Sequence, residues 1–167
     1  AQAELCHEDI VSIAAISGES SGGGAELGWA CDIRIAESQA CFSQPEITMG
    51  ITTGIGGCSR LARLAGRATV TEMVLTGEPV SASRLYDVGA ISRVVEAGQS
   101  LPQALQLAGS LATRSPAAIA GLKQILSIGD STPMDRALVK EQEIFQSVVT
   151  TDEALHGMKR VQAENDR

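Results

Sequence analysis

Two carboxylates in this sequence stand beside runs of glycine, and that pairing is where chemistry would be expected. Glu26 follows Gly22, Gly23 and Gly24 after a single alanine. Glu46 follows Pro45 and precedes Gly50, Gly54, Gly56 and Gly57. Glycine adopts φ > 0 readily and lets another group approach the main chain closely. A glycine run leading from a strand into a helix also leaves the first helical N–H groups unpaired. With the helix dipole behind them, those groups attract an anion. The anion is either a phosphate or an oxyanion that develops during a reaction. The phosphate templates fail, because no Lys follows Gly23 or Gly24 as a P-loop requires. G-x-G-x-x-G fits only if the spacing of its acidic partner is ignored. Two acids flanking one small site can divide a proton transfer, one accepting and one donating. Backbone N–H groups would then stabilise the developing charge. Plainer explanations exist for each part. The glycines alone suit a tight packing turn, and an acid in the first turn of a helix is stabilising by about 0.3–1 kcal/mol. The residues by themselves leave both readings open.

The elements that must position these residues can be read from periodicity and stop signals. Asp9 to Gly18 is a β-branched apolar run ending in glycine and predicts a buried strand. A Ser/Gly loop follows, then a short helix from Gly24 to Asp32 with Glu26 in its first turn. Short strands are predicted over Ile33 to Ser38 and Ala40 to Ser43, and a glycine-rich loop from Gln44 to Gly57. Helices over Cys58–Gly66, Ala68–Gly77 and Ser81–Gly89 each stop at a glycine. A strand over Ala90–Glu96 closes the mixed region, and the chain beyond Leu101 reads as helical. Ser115-Pro116 and Thr132-Pro133 are helix-start pairs, with Asp135 expected as a capping-box acid. Leu138, Ile144, Phe145, Val148 and Val149 form an apolar stripe expected to be core or subunit contact. Arg60, Arg63 and Arg67 are expected on one solvated helical face.

Bulk properties narrow the function class. At 167 residues the chain is about one domain. The net charge of −7 argues against nucleic acid or an anionic membrane surface as the main partner. No apolar run of transmembrane length occurs in the sequence. Cys6, Cys31, Cys41 and Cys58 lack C-x-x-C spacing, and His7 and His156 lie near opposite ends, so no metal-ligand cluster is visible. The cysteines are expected to be mostly buried, reduced thiols of a cytosolic protein. The chain opens on AQAEL without an initiator Met, as a processed or truncated piece would.

The stretch AAISGESSGGGAELGWACDIRIAESQACFSQPEITMGITTGIGGCSRLARLAG resembles the signature region of the crotonase (enoyl-CoA hydratase/isomerase) superfamily, closest to the enoyl-CoA hydratases. The likeness continues through EMVLTGEPVSA and VGAISRVV into SPAAIAGLKQIL. It implies an α/β fold, a crotonase-like spiral of ββα units followed by a C-terminal helical region. Residues 1–98 would be the C-terminal part of the spiral core, carrying the active-site motifs. Residues 99–167 would be the helical trimerisation region, and the whole chain the C-terminal portion of a subunit. The resemblance implies that Glu26 and Glu46, 20 residues apart as in the hydratases, are catalytic. Glu26 would hold and deprotonate water, and Glu46 would supply a proton to C2. The Gly23 N–H would form part of the oxyanion hole, with Gly22, Gly24 and Gly54 beside substrate and water. Thr53 stands where the family often carries Pro. No cofactor and no metal are implied, since CoA is part of the substrate. The implied partners are an acyl-CoA thioester and further copies of the chain, as a homotrimer or dimer of trimers. The implied setting is cytoplasmic fatty-acid metabolism. The alternatives are an enoyl-CoA isomerase or other superfamily reaction, or a non-catalytic incomplete subunit. Isomerases commonly keep the acid at the Glu46 position but not at that of Glu26.

Overall fold

The computed structural model describes residues 5–165, so the outermost residues of both expected regions lie outside the described residues. Strands β1 (Ile13–Ile16) and β2 (Glu19–Ser21) lead into helix α1 (Gly23–Ala30). Strands β3 (Ile33–Glu37) and β4 (Cys41–Ser43) lead through a 3-10 turn (Pro45–Met49) to α2 (Gly57–Ala65) and α3 (Arg67–Thr76). Then come β5 (Val80–Ser81), α4 (Ala82–Asp87), β6 (Arg93–Val95) and α5 (Ser100–Leu111). Helices α6 (Pro116–Gly129), α7 (Met134–Val149) and α8 (Asp152–Asn165) follow. The chain forms two compact units. The first holds residues 5–7 and 11–111, and the second holds residues 8–10 and 112–165. Helix α5 packs on β1 and β3 and therefore groups with the first unit.

In the first unit the strands sort into two sheets, β1-β3-β6 and β2-β4-β5. The first strand of each ββα repeat enters one sheet and the second strand enters the other. β1 pairs with β3 in parallel, with Ile16 beside Ala36. β2 pairs with β4 in parallel, with Ser21 beside Ser43. Parallel neighbours require a crossover, and α1 supplies it. Trp29, Phe42, Leu61, Met73, Leu85 and Ile91 fill the core, with Ala25, Ala36, Ala40, Ala82 and Ala90 admitting close approach between them. Burying a side chain the size of Leu61 contributes about 1.5–3 kcal/mol. Trp29 and Phe42 pack with ring centroids 5.1 Å apart and fix α1 on β4.

Two buried ionic groups tie this layer together. The Arg34 guanidinium donates to the Ala90 carbonyl at 2.7 Å and to the carbonyls of Gly28, Cys31 and Asp32, closing the C-terminal end of α1. Burial lowers its proton affinity below the ordinary value. Glu37, at the end of β3, accepts from the Gly98 backbone, from the Ser100 hydroxyl at 2.8 Å, from Gln39 at 2.7 Å and from the Ser100 N–H at 3.2 Å. These donors, the Gly98 N–H foremost, pull its carboxyl from 4.5 down to about 2.

Several expectations are corrected here. The strand expected from Asp9 covers only Ile13–Ile16. The polar stretch expected as a loop holds β2, because Ser21 pairs with Ser43, whose hydroxyl donates to the Ser21 hydroxyl at 2.9 Å. Gly66, at φ 77°, ends α2, and Arg67 opens α3, so the three arginines do not share one helix. Cys6 and Cys58 are exposed and Cys31 and Cys41 half-buried, all as free thiols. Cys58 faces outward because the buried face of α2 is Gly57, Leu61 and Ala65.

In the second unit α6 starts as expected, with Ser115 accepting from the Ala118 N–H at 3.4 Å and Pro116 in the first turn. Helix α7 starts one residue later than its start pair implies: Pro133 is the N-cap and no side chain caps the helix. Asp135 remains in the first turn but forms no capping box. Helices α6 and α7 approach through Gly121, where a methyl group would stand 3.0 Å from Ile144 and 3.2 Å from Val148. The stripe divides accordingly: Ile144, Val148 and Val149 are half-buried, while Leu138 and Phe145 are exposed. Among the described residues no helix is long and apolar enough to cross a membrane.

Candidate active site

The turn between β2 and α1 is made by Gly22, at φ 51° and ψ −125°, where residues with a Cβ are strained. Its N–H donates to the Ser43 carbonyl at 3.0 Å, which joins the turn to β4. A methyl group at Gly22 would stand 3.3 Å from Oε1 of Glu46, so the second carboxylate lies against this turn. Gly23 then opens α1, and no side chain caps that helix. Its first N–H groups are left for another acceptor. Gly24 has no atom within 4 Å of where a side chain would begin. Packing does not require glycine there.

Glu26 lies on the buried face of α1 and is 3% exposed. Its Oε1 accepts from the Gly57 N–H at 2.7 Å and the Ile55 N–H at 3.1 Å. Its Oε2 accepts no hydrogen bond among the described residues. The donors sit on the loop after the 3-10 turn. That loop is held by the Arg60 guanidinium, which donates to the Ile55 carbonyl at 2.7 Å, and by Thr53, which accepts from the Cys58 N–H at 3.2 Å. Gly57 must be glycine for close approach. A methyl group there would meet Thr53 Cγ2 at 2.8 Å, and the Gln44 amide and Glu26 Oε1 both at 2.9 Å. Gly54 precedes Ile55 in the loop and has open space beside it.

Glu46 is 8% exposed in the first turn of the 3-10 segment. Its orientation depends on Gln44, which is fully buried between Trp29 and Glu46. Indole N–H can only donate, so the Gln44 oxygen faces Trp29 Nε1, at 3.2 Å. The Gln44 nitrogen then faces Glu46 and donates to its two oxygens at 3.1 and 3.2 Å. Trp29 lies one turn beyond Glu26 on α1. Gln44 therefore links the helix that carries the first acid to the second acid.

Glu26, Glu46, Gly22 and Gly23 are thus brought around one glycine turn, with Gly54 on the loop that holds Glu26. Gln44 and Trp29 were missed as site residues by sequence reasoning. The available signal was a glutamine two residues before a candidate acid, and the lone tryptophan three residues after the other. A buried amide needs partners on both sides. Two buried carboxylates, one with a fixed and a vacant oxygen, beside an uncapped helix N-terminus can move protons at a substrate whose own oxygen gains negative charge. Among the described residues no group of three or more His, Cys, Asp or Glu is placed to hold a metal.

A family model described as Enoyl-CoA hydratase/isomerase matches residues 1–165. The short-chain-enoyl-CoA hydratase of Clostridium acetobutylicum is 36% identical over 146 residues, covering 87% of this chain and 56% of that protein. A short-chain-enoyl-CoA hydratase of Clostridioides difficile is 36% identical over 148 residues, covering 89% of this chain and 95% of that sequence. The solved structure of an enoyl-CoA hydratase from Polaromonas sp. JS666 gives a TM-score of 0.93 at 31% identity, over 98% of this chain and 63% of that one. The Clostridioides difficile sequence apart, the chain spans less than two thirds of the length of these relatives.

Proposed function

The chain belongs to the enoyl-CoA hydratase/isomerase family and has the crotonase-type α/β fold, and from that premise we propose that its site adds water across the C2–C3 double bond of a 2-enoyl-CoA thioester to give the 3-hydroxyacyl-CoA. Charge moves onto the thioester oxygen as water adds to C3. The Gly23 N–H at the start of α1 stabilises that oxygen more in the transition state than in the ground state. Glu26 takes a proton from the attacking water on its vacant oxygen while Oε1 stays fixed by Gly57 and Ile55. Glu46 delivers a proton to C2. Gly54 lies beside the water. Addition of water leaves the overall oxidation level unchanged, so the reaction calls for no redox cofactor, and the two acids and backbone donors replace a metal.

The observation that carries this reading is Glu26, buried and aimed by two backbone N–H groups with its second oxygen unengaged. Shifting a double bond from C3–C4 to C2–C3 carries a proton from C2 to C4, which one acid at the Glu46 position can shuttle, whereas hydration uses both. The test is loss of the conjugated-thioester absorbance of crotonyl-CoA with the wild type and Glu26→Gln, beside isomerisation of the 3-enoyl isomer. Loss of hydration in Glu26→Gln supports the reading. Normal hydration in that variant, or activity on the 3-enoyl thioester alone, removes it. The relatives' names support a short acyl chain. A homotrimer or dimer of trimers in the cytoplasm, serving fatty-acid metabolism, completes the proposal. The exposed Leu138 and Phe145 of α7 support assembly through that face. Sedimentation as a single monomer boundary would remove the assembly.

A further inference from the structure

We propose that Ile55 is a specificity-determining residue: its side chain closes the space beside C2 of the acyl group and confines the site to thioesters with no substituent on that carbon. This rests on the hydration reading above and names the substrate class within it.

The backbone of Ile55 is held from both sides. Its N–H donates to Glu26 Oε1 at 3.1 Å, and its carbonyl accepts from the Arg60 guanidinium at 2.7 Å. Gly54 and Gly56 flank it, and Gly56 takes φ 118°, a turn that a residue with a Cβ rarely makes. The side chain is therefore carried on a fixed backbone. Its Cδ1 stands 4.0 Å from where a side chain at Gly23 would begin, and among the described residues no other group from outside the Gly22 turn and α1 comes that near. Ile55 is nonetheless 48% exposed. A large apolar group thus remains half open beside the buried Glu26 carboxylate and the uncapped start of α1.

The placement selects one carbon of the substrate. The thioester oxygen is bonded to a carbon whose other two neighbours are sulfur and C2. Ile55 lies against Gly23, the donor to that oxygen, and its own N–H is bonded to Glu26, which acts on the water that adds to C3. Its side chain therefore bounds the acyl side of the carbonyl carbon and not the sulfur side. A methyl group on C2 of a conjugated thioester lies in the plane of the double bond and has no freedom to swing away. One methyl group against an apolar wall discriminates by about 10–200-fold.

The experiment compares kcat/KM for crotonyl-CoA and its 2-methyl homologue, using the full chain as wild type, Ile55→Val and Ile55→Ala. Both variants keep the backbone N–H that holds Glu26. The wild type should prefer the unsubstituted thioester, and Ile55→Ala should raise the relative kcat/KM for the 2-methyl substrate by at least about tenfold, with Ile55→Val between. Thermal melts coincident with wild type would exclude misfolding as the cause. Turnover of crotonyl-CoA with an unmoved ratio, or equal use of both substrates by the wild type, overturns the assignment of Ile55 alone. No turnover of either thioester removes the hydration reading and this inference with it.

Discussion

Glu37 and Glu26 are both buried carboxylates of the first unit, and their surroundings are opposites. Glu37 is saturated: the Gly98 N–H, the Ser100 hydroxyl and N–H, and Gln39 converge on it. Nothing is left to bind a further group, and the carboxylate serves to anchor the start of α5 to the end of β3. Glu26 has donors on one oxygen only, both from backbone. Its helix is fixed by Trp29 packing on Phe42, so the vacant oxygen is held in place without being used. Burial is common to the two sites. The unfilled acceptor is what leaves Glu26 able to serve the proposed proton transfer, whereas Glu37 is spent on holding the fold.

The sharpest way to break this contrast is to remove the charge at each site. Glu26→Gln and Glu46→Gln should each lower kcat by about 10²–10⁴-fold while the melting temperature stays near wild type. Near-normal turnover in either would place that residue with Glu37. Gly57→Ala should come next, because its methyl group must displace Glu26, Gln44 or Thr53. About 10²-fold in kcat is expected from such a misplacement, with less change in KM, and an unaltered kcat would show that the aim of Glu26 is not critical. Gln44→Leu strands the Trp29 N–H and leaves Glu46 undirected, so it should cost about 1–3 kcal/mol in denaturant unfolding and lower kcat as well. A loss of stability with full kcat would make Gln44 a core residue only.

Glu37→Gln should be the mildest. Its folded value lies near 2, below the ordinary 4.5, so its stabilising contribution is complete above about pH 4.5 and is lost as pH falls toward 2. The wild-type melting temperature should therefore drop through that window more steeply than the variant's, and turnover at neutral pH should be unchanged. Parallel melting curves for the two proteins would show that the donors around Glu37 carry no such linkage.

The α/β class and most helix ends were legible because local chemistry decided them. Gly66 and Gly77 end α2 and α3 with positive φ, and Ser81 and Ser115 cap the starts of α4 and α6 through their hydroxyls, as residue type alone suggests. β2 was not legible, since Glu19-Ser20-Ser21 has no strand signature and is a strand only because β4 lies beside it. The 3-10 turn at Pro45 was hidden in the same way among glycines. The acids of the site and the glycine turns were visible as residue types at a spacing. Gln44 was not, because its role depends on Trp29, and that contact exists only after α1 and β4 have packed. Ile55 reads as one more apolar residue in a loop until Glu26 and Gly23 are placed around it.

The two backbone donors to Glu26 have a spectroscopic consequence. Amide protons that point at a carboxylate shift downfield, and the shift follows the charge on the acceptor. The Ile55 and Gly57 resonances would therefore report whether the loop holds the Glu26 carboxylate, without a probe or a substitution at the acid itself. Gly57, at 2.7 Å, should report more strongly than Ile55, at 3.1 Å. Nuclear magnetic resonance spectra of those two signals would show whether the acid keeps its aim in the intact protein, and whether that aim changes when a thioester arrives.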